Sequence, residues 1–235
     1  MTRAHAGLSV LALIGGALAA RPCFASGFLI YDISGEAIGR GSAVTADDEE
    51  PAAVWFNPAN LAFLKGVSGS AGGVFLTDRV AVGVGAFSTF GIGITWPDDW
   101  VGREAAINAS LKTLTLNPTV AVLVHRQIAV AAGFDAVRST VDFRNGLPAI
   151  IGGDVRLAAG TWGYGFNVGA LYKIYPGRLH VALTYRSRVK LDFNDGRANF
   201  NPANPDFKPA LPDQGGTASI TLPDIITAGV MGRPR

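Results

Sequence analysis

From Arg178 to Phe193 apolar and polar residues alternate strictly. Leu179, Val181, Leu183, Tyr185, Val189, Leu191 and Phe193 fall on one face, and His180, Thr184, Arg186, Arg188, Lys190 and Asp192 on the other. Period-2 alternation of this length predicts a strand with two unlike faces. The pattern recurs at Leu114 to Val124 and at Trp162 to Ile174. Weaker versions cover Val80 to Ser88, Ile128 to Phe143 and Ser219 to Val230, making six strands, and the phase slips near Asp135 to Val137, as a bulge would cause.

The runs are about 10 to 18 residues long, whereas soluble strands usually have about 5 or 6 and a bilayer-crossing strand needs roughly 9 to 11. Tight turns at His125-Arg126 and Tyr175-Pro176-Gly177-Arg178 alternate with longer polar loops near 90–107, 144–153 and 195–216. Short turns on the periplasmic side and long loops outside are the habit of outer-membrane barrels. No segment past the leader has 18 consecutive apolar residues, so the strands are what would cross a membrane, and they require closed pairing because no strand edge can face lipid. The rival reading is a soluble β-sandwich or lipocalin-like barrel, whose strands also alternate. Strand length, the leader and the glycine-filled face of 161–171 favour the membrane.

At the N-terminus Arg3 precedes the apolar run Leu8 to Ala20, and Cys23-Phe24-Ala25 offers small residues before a cut. This is the pattern of a secretory signal peptide over 1–25, too short at about 13 apolar residues for a membrane anchor. Cleavage there removes the single cysteine, and with it disulfides, thiolate nucleophiles and cysteine-ligated metals. The leader also holds Arg3 and Arg21 and no acid, so 20 basic against 18 acidic residues becomes an even balance in the remainder. Sparse, mixed charge speaks against a nucleic-acid partner. Residues 26–66 are rich in turns, with the acidic cluster Asp47-Asp48-Glu49-Glu50, and form a compact irregular segment ahead of the strands of 67–235.

Several stretches carry a family likeness. Ser26-Gly27-Phe28, Asp47-Asp48, Asn57-Pro58-Ala59, Pro97 to Arg103, Leu111 to Leu114, Asn117-Pro118, Trp162 to Tyr172, Leu183 to Ser187 and Leu222-Pro223 occur in an order that resembles the long-chain fatty-acid transporters of Gram-negative outer membranes, the FadL-like family. The resemblance implies an all-β, antiparallel transmembrane barrel with an N-terminal plug, located in the outer membrane. It also implies passive uptake of long-chain fatty acids or other hydrophobic compounds with lateral exit through the wall, by a monomer among outer-membrane lipids and without a cofactor. Phe28 corresponds to the aromatic at the plug's N-terminus, Asn57, Pro58 and Ala59 to the plug motif, and Gly91 to the glycine of a kinked strand. Two departures stand out: only about a dozen residues lie between Gly66 and Val80 where the family has two strands and a loop, and Met231 to Arg235 stand where the barrel would continue. Six to seven strands cannot close around such a plug, so a fragment is expected.

A fatty-acid carboxylate calls for a cation, because burying it unpaired is costly. Arg186, Arg188 and Lys190 stack on the predicted lumen face, and Arg144 lies close to the position at which the family places a carboxylate-binding arginine. No catalytic set is found: His5, His125 and His180 make no zinc motif and no partnership with a serine, Gly163-Tyr164-Gly165 is followed by no phosphate-loop helix, and the acidic cluster lacks the spacing of a calcium loop. Transport, a non-transporting structural or ligand-binding role, and an outer-membrane lipase remain the three readings, the last weakened by the missing serine–histidine pair.

Overall fold

The computed structural model describes residues 29–30, 34–40, 42–47, 53–64, 69–70, 72–76 and 79–232. The expected signal peptide and Phe28 lie outside the described residues. Among the described residues, eleven strands form one antiparallel sheet: β1 (Gly69–Ser70), β2 (Gly72–Leu76), β3 (Val80–Phe87), β4 (Gly91–Thr95), β5 (Asn108–His125), β6 (Ile128–Gly146), β7 (Gly153–Tyr175), β8 (Leu179–Arg186), β9 (Val189–Pro202), β10 (Gln214–Leu222) and β11 (Ile225–Gly232). Four of the six expected strands appear as single elements, β3, β5, β6 and β7, and the expected loop 90–107 also holds β4. The other two divide into β8 with β9 and β10 with β11: β3 and β4 both pair β5, while β9 and β8 pair β10 and β11 in one register from Ala218↔Phe193 to Gly232↔Leu179, after a shift between Gly216 and Ala218. Among the described residues no pairing joins β1 or β2 to β11, so the sheet is open.

The alternation sorts side chains as expected along most of the sheet. On β5, residues from Leu111 to Ala121 are buried at odd positions and exposed at even ones. The even row of β5, β6 and β7 carries Leu114, Leu116, Val120, Phe134, Trp162, Tyr164, Phe166 and Val168, all 40% exposed or more. From Trp162 to Tyr172 this apolar row spans about 25 Å along the barrel axis at a strand tilt of about 40°, the height of an outer-membrane apolar band with an aromatic residue at each margin. Tight turns at Arg126–Gln127 and 176–178 close one end, where Gly177 takes φ +72° at no steric cost, and loops 96–107, 147–152 and 203–213 cap the other. No helix among the described residues is long and apolar enough to cross a membrane.

The bulge expected near Asp135 does not exist. β5 and β6 keep one register from Asn108↔Arg144 to Leu123↔Ala129, and Asp135, Val137, Ser139 and Val141 are all buried on the same face. The alternation only looks interrupted because that inner face is itself apolar at Val137 and Val141. Within this ladder Pro118 has no N–H to give, and Asn117 Nδ2 donates instead to the Phe134 carbonyl at 3.0 Å.

The N-terminal segment lies against the inner face at the turn end. Helices α1 (Gly35–Gly39) and α2 (Ala53–Phe56) and a 3-10 helix, Pro58–Phe63, bury Ala37, Val44, Val54, Trp55, Phe56 and Leu61 against Ala81, Phe87, Ala121, Ala129, Leu171 and Ala182 of the wall. This is the plug. Asp47, the first residue of the acidic cluster, is 1% exposed and ion-paired with Arg40, while Asp48, Glu49 and Glu50 lie outside the described residues.

Candidate functional site

Asn57, fully buried, ties the plug to the wall. Its Oδ1 accepts from Ala59 N at 3.1 Å and caps the 3-10 helix, while its Nδ2 lies 3.2 Å from the carbonyls of both Thr45 in the plug and Ala170 on β7. Pro58 follows at the start of that helix, where a missing N–H costs nothing, and Ala59 is fully buried beside it. The wall meets this motif at Gly169: a Cβ there would collide with Asn57 Oδ1 and stand 3.0 Å from the Pro58 ring. Close backbone approach, with the side chain omitted, seats the plug.

Above the motif is a polar ring built on Asp135, which is 1% exposed. Arg186 donates to Asp135 Oδ1, Asn117 Nδ2 donates to the same oxygen at 2.8 Å, Asn167 Nδ2 reaches both oxygens at 3.3 Å, and Thr119 donates to Asn117 Oδ1 at 2.7 Å. The Arg186 guanidinium lies 4.3 Å from the Trp55 ring and 5.5 Å from that of Phe87. A buried charge is thus paired and hydrogen-bonded on every side, as it must be.

Toward the loop end the inner face turns apolar. Phe90, Leu111, Val137, Val141, Val189, Leu191, Phe193 and Leu222 form a second buried cluster. Val141, Phe143, Leu157, Ala159, Phe193 and Ile220 line a pocket there with about 80 Å³ of free space. That is well below the roughly 300–1,000 Å³ of pockets enclosing a whole ligand, so it accepts one end of an extended apolar molecule.

Arg188 and Lys190 do not share the face of Arg186. Arg186 and Val189 both point inward although three positions apart, so the strand turns over between β8 and β9, and β10 to β11 does the same between Leu222 and Ile225. Arg188 and Lys190 are left outside, 72% and 67% exposed, paired with Asp224 at 2.9 Å and Asp192 at 3.0 Å. Tyr185 Oη, at 2.7 Å, and Arg188 N, at 2.9 Å, both donate to Asp224 Oδ1, which pins the turnover. Arg144 is on the outer, even row of β6 and pairs with Asp154 and, at 2.9 Å, with Asp98 of the loop. The stack of lumen cations is therefore reduced to Arg186, whose charge Asp135 already takes.

Gly91 opens β4, just past a break at Ser88 to Phe90. There Leu29 bridges Phe90, Ile30 N donates to Thr89 O at 2.7 Å, and Thr113 Oγ1 satisfies both Phe90 N and Phe90 O at 3.1 and 2.6 Å. Sequence reasoning passed over Asp135, Asn117, Asn167 and the apolar pocket. The available signal was a carboxylate in mid-strand among alanines and valines.

A long-stranded antiparallel wall with an outward apolar band and an inward plug is the architecture of an outer-membrane transport barrel. Residues 69–235 match the family described as Outer membrane protein transport protein (OMPP1/FadL/TodX), and the chain belongs to that family. It is 27% identical over 197 residues to a long-chain fatty acid transport protein of Salmonella typhi, an alignment covering 74% of this chain and 42% of that protein. Its fold is similar to the crystal structure of a Pseudomonas aeruginosa FadL homologue (TM-score 0.74, 16% identity, 88% of this chain and 66% of that one). It is also similar to the Ralstonia pickettii toluene transporter TbuX (TM-score 0.61, 16% identity, 79% and 64%). The chain spans less than half the length of the fatty acid transport protein it matches.

Proposed function

We propose that this chain takes part in passive uptake of long-chain fatty acids or other hydrophobic compounds across the outer membrane, as plug and partial wall of a barrel. The proposed organisation is a cleaved leader over 1–25, a plug over 26–66 and a wall over 67–235. The observation that carries the reading is the apolar inner cluster around Val141, Phe193 and Ile220, set between the loop end and the plug. A water-filled pore has no use for such a lining, whereas an apolar solute partitions into it at roughly 25 cal/mol per Å² of buried surface.

Of the four cations read from the sequence, none offers the pocket an unengaged charge, so the apolar portion of the solute carries recognition and a carboxylate stays toward the loops. In this reading the ligand moves from the pocket along the inner face and leaves sideways at the β3–β4 break, with Gly91 and the plug's Phe28 and Asn57-Pro58-Ala59 motif as the gate. The second reading is a structural or ligand-binding role without transport, favoured by the open sheet.

Flux of a fluorescent fatty acid into vesicles carrying the chain, against empty vesicles, separates them. Flux above background that falls when Ala159→Trp fills the pocket supports uptake. Background flux with retained binding supports the second reading.

A further inference from the structure

The outer face above the apolar band carries four cations on adjacent strands: Lys112, Arg138, Arg144 and Arg156. Two are neutralised. Arg144 is held by Asp98 and Asp154, and Arg156 grips Asp142 through Nε at 2.9 Å and a second bond from Nη2. Lys112 and Arg138 have no ion-pair partner among the described residues; Arg138 instead lies over the Trp162 ring at 5.8 Å. Register brings them together, since Lys112 is opposite Thr140 and Leu114 opposite Arg138, making the two cations diagonal neighbours on one face about 7 Å apart.

They line a cleft of about 570 Å³ with Asn108, Ser110, Thr140 and Gly160, in which the carboxylate of Asp142 is already taken. Their height matters as much as their spacing. Trp162 marks the upper margin of the apolar band and pairs directly with Arg138, so both cations stand at the membrane–water boundary. A cation there costs far less than at the midplane, and lipid phosphates lie at that depth. Below, Leu114, Leu116, Phe134, Tyr164 and Phe166 offer an unbroken apolar track.

We propose that Lys112 and Arg138 hold the headgroup phosphate of a phosphorylated lipid of the outer leaflet, with its acyl chains laid along the outward row beneath. Two long cations around one phosphate give charge-assisted hydrogen bonds that a neutral headgroup cannot make. The site is separate from the inner pocket and does not depend on transport.

The test uses the full chain, folded in zwitterionic detergent and immobilised, with a diphosphorylated glucosamine lipid and its phosphate-free counterpart as probes. Retention of the phosphorylated lipid at least tenfold above the phosphate-free one, weakening with salt, is expected. The same tenfold preference should be lost in Lys112→Gln/Arg138→Gln and kept in Arg126→Gln/Arg178→Gln, which removes two cations at the turn end. Equal retention of both lipids by the unmodified chain overturns the proposal without reference to any variant. So does an undiminished preference in Lys112→Gln/Arg138→Gln, and so does displacement of the lipid by millimolar inorganic phosphate, which would make this a free-phosphate site.

Discussion

Arg186 and Asp135, 51 positions apart in the chain, form a buried ion pair on the inner face, and the arginine's other side is covered by Trp55 of the plug. One guanidinium therefore joins three strands' worth of polar side chains to the segment that fills the turn end.

Removing the carboxylate leaves Arg186 buried and uncompensated. Asp135→Ala is expected to cost about 3–5 kcal/mol, read as a shift in urea unfolding of the chain in detergent, together with faster proteolysis within 53–64. Asp135→Ala/Arg186→Met should recover part of that loss; a double variant no better than the single one would mean that the pair is not what matters.

Gly169 is predicted to be intolerant of even one methyl group. Gly169→Ala drives a Cβ into Asn57 and the Pro58 ring, so the plug should unseat while the far-ultraviolet strand signal stays. Asn57→Ala, which leaves the Ala170 carbonyl without its plug donor, should cost about 1–3 kcal/mol. A plug as protease-resistant as the unmodified one in Gly169→Ala would refute the close-approach account.

β9 presses against β7 at Gly163, where β7 presents no side chain. A Cβ on Gly163 would stand 2.7 Å from the Lys190 carbonyl and 2.5 Å from Val189. Gly163→Ala should therefore push Val189, Leu191 and Phe193 away from the inner cluster, at roughly 1–3 kcal/mol for the overpacking. Hydrogen exchange should rise at 187–193 and remain unchanged at 128–132.

The loop before β10 should loosen in acid. Lys208 Nζ lies 2.7 Å from Asp213, and with the Phe200 N–H at 2.9 Å it holds the Asp213 carboxyl below the usual carboxylate range. A depressed carboxyl pKa contributes stability that is present above its unfolded value and lost as pH falls through the folded one. Exchange of the Phe200 amide should accelerate below about pH 4, and Lys208→Gln should shift that acceleration upward in pH.

Much of this fold is legible because its alternation is driven by two different solvents, lipid on one face and plug or lumen on the other. Leu114 to Val124 and Trp162 to Tyr172 read correctly for that reason. Parity counting also places Arg144 outside, on the row of Ile128 and Phe134, although its nearness to a family position suggested otherwise. What could not be read is the turnover between Arg186 and Val189. It depends on a hydrogen-bonded corner made by Tyr185, Arg188 and Asp224 from two strands, and no local pattern records a contact 36 residues away. The apolar inner pocket was hidden for a related reason: Val137 and Val141 read as a slipped phase when they are a second apolar face.

The central claim is that the inner face at the loop end binds apolar solutes. Photolabelling of the folded chain with a diazirine-bearing long-chain fatty acid, followed by mapping of the adducts, tests it most directly. Labels on Val141, Phe143, Phe193 and Ile220, reduced by Ala159→Trp and by competing unlabelled fatty acid, are the predicted result. Labels confined to the outward row of Leu114, Phe134, Tyr164 and Phe166 would contradict it, because the chain would then meet fatty acids only as it meets any lipid.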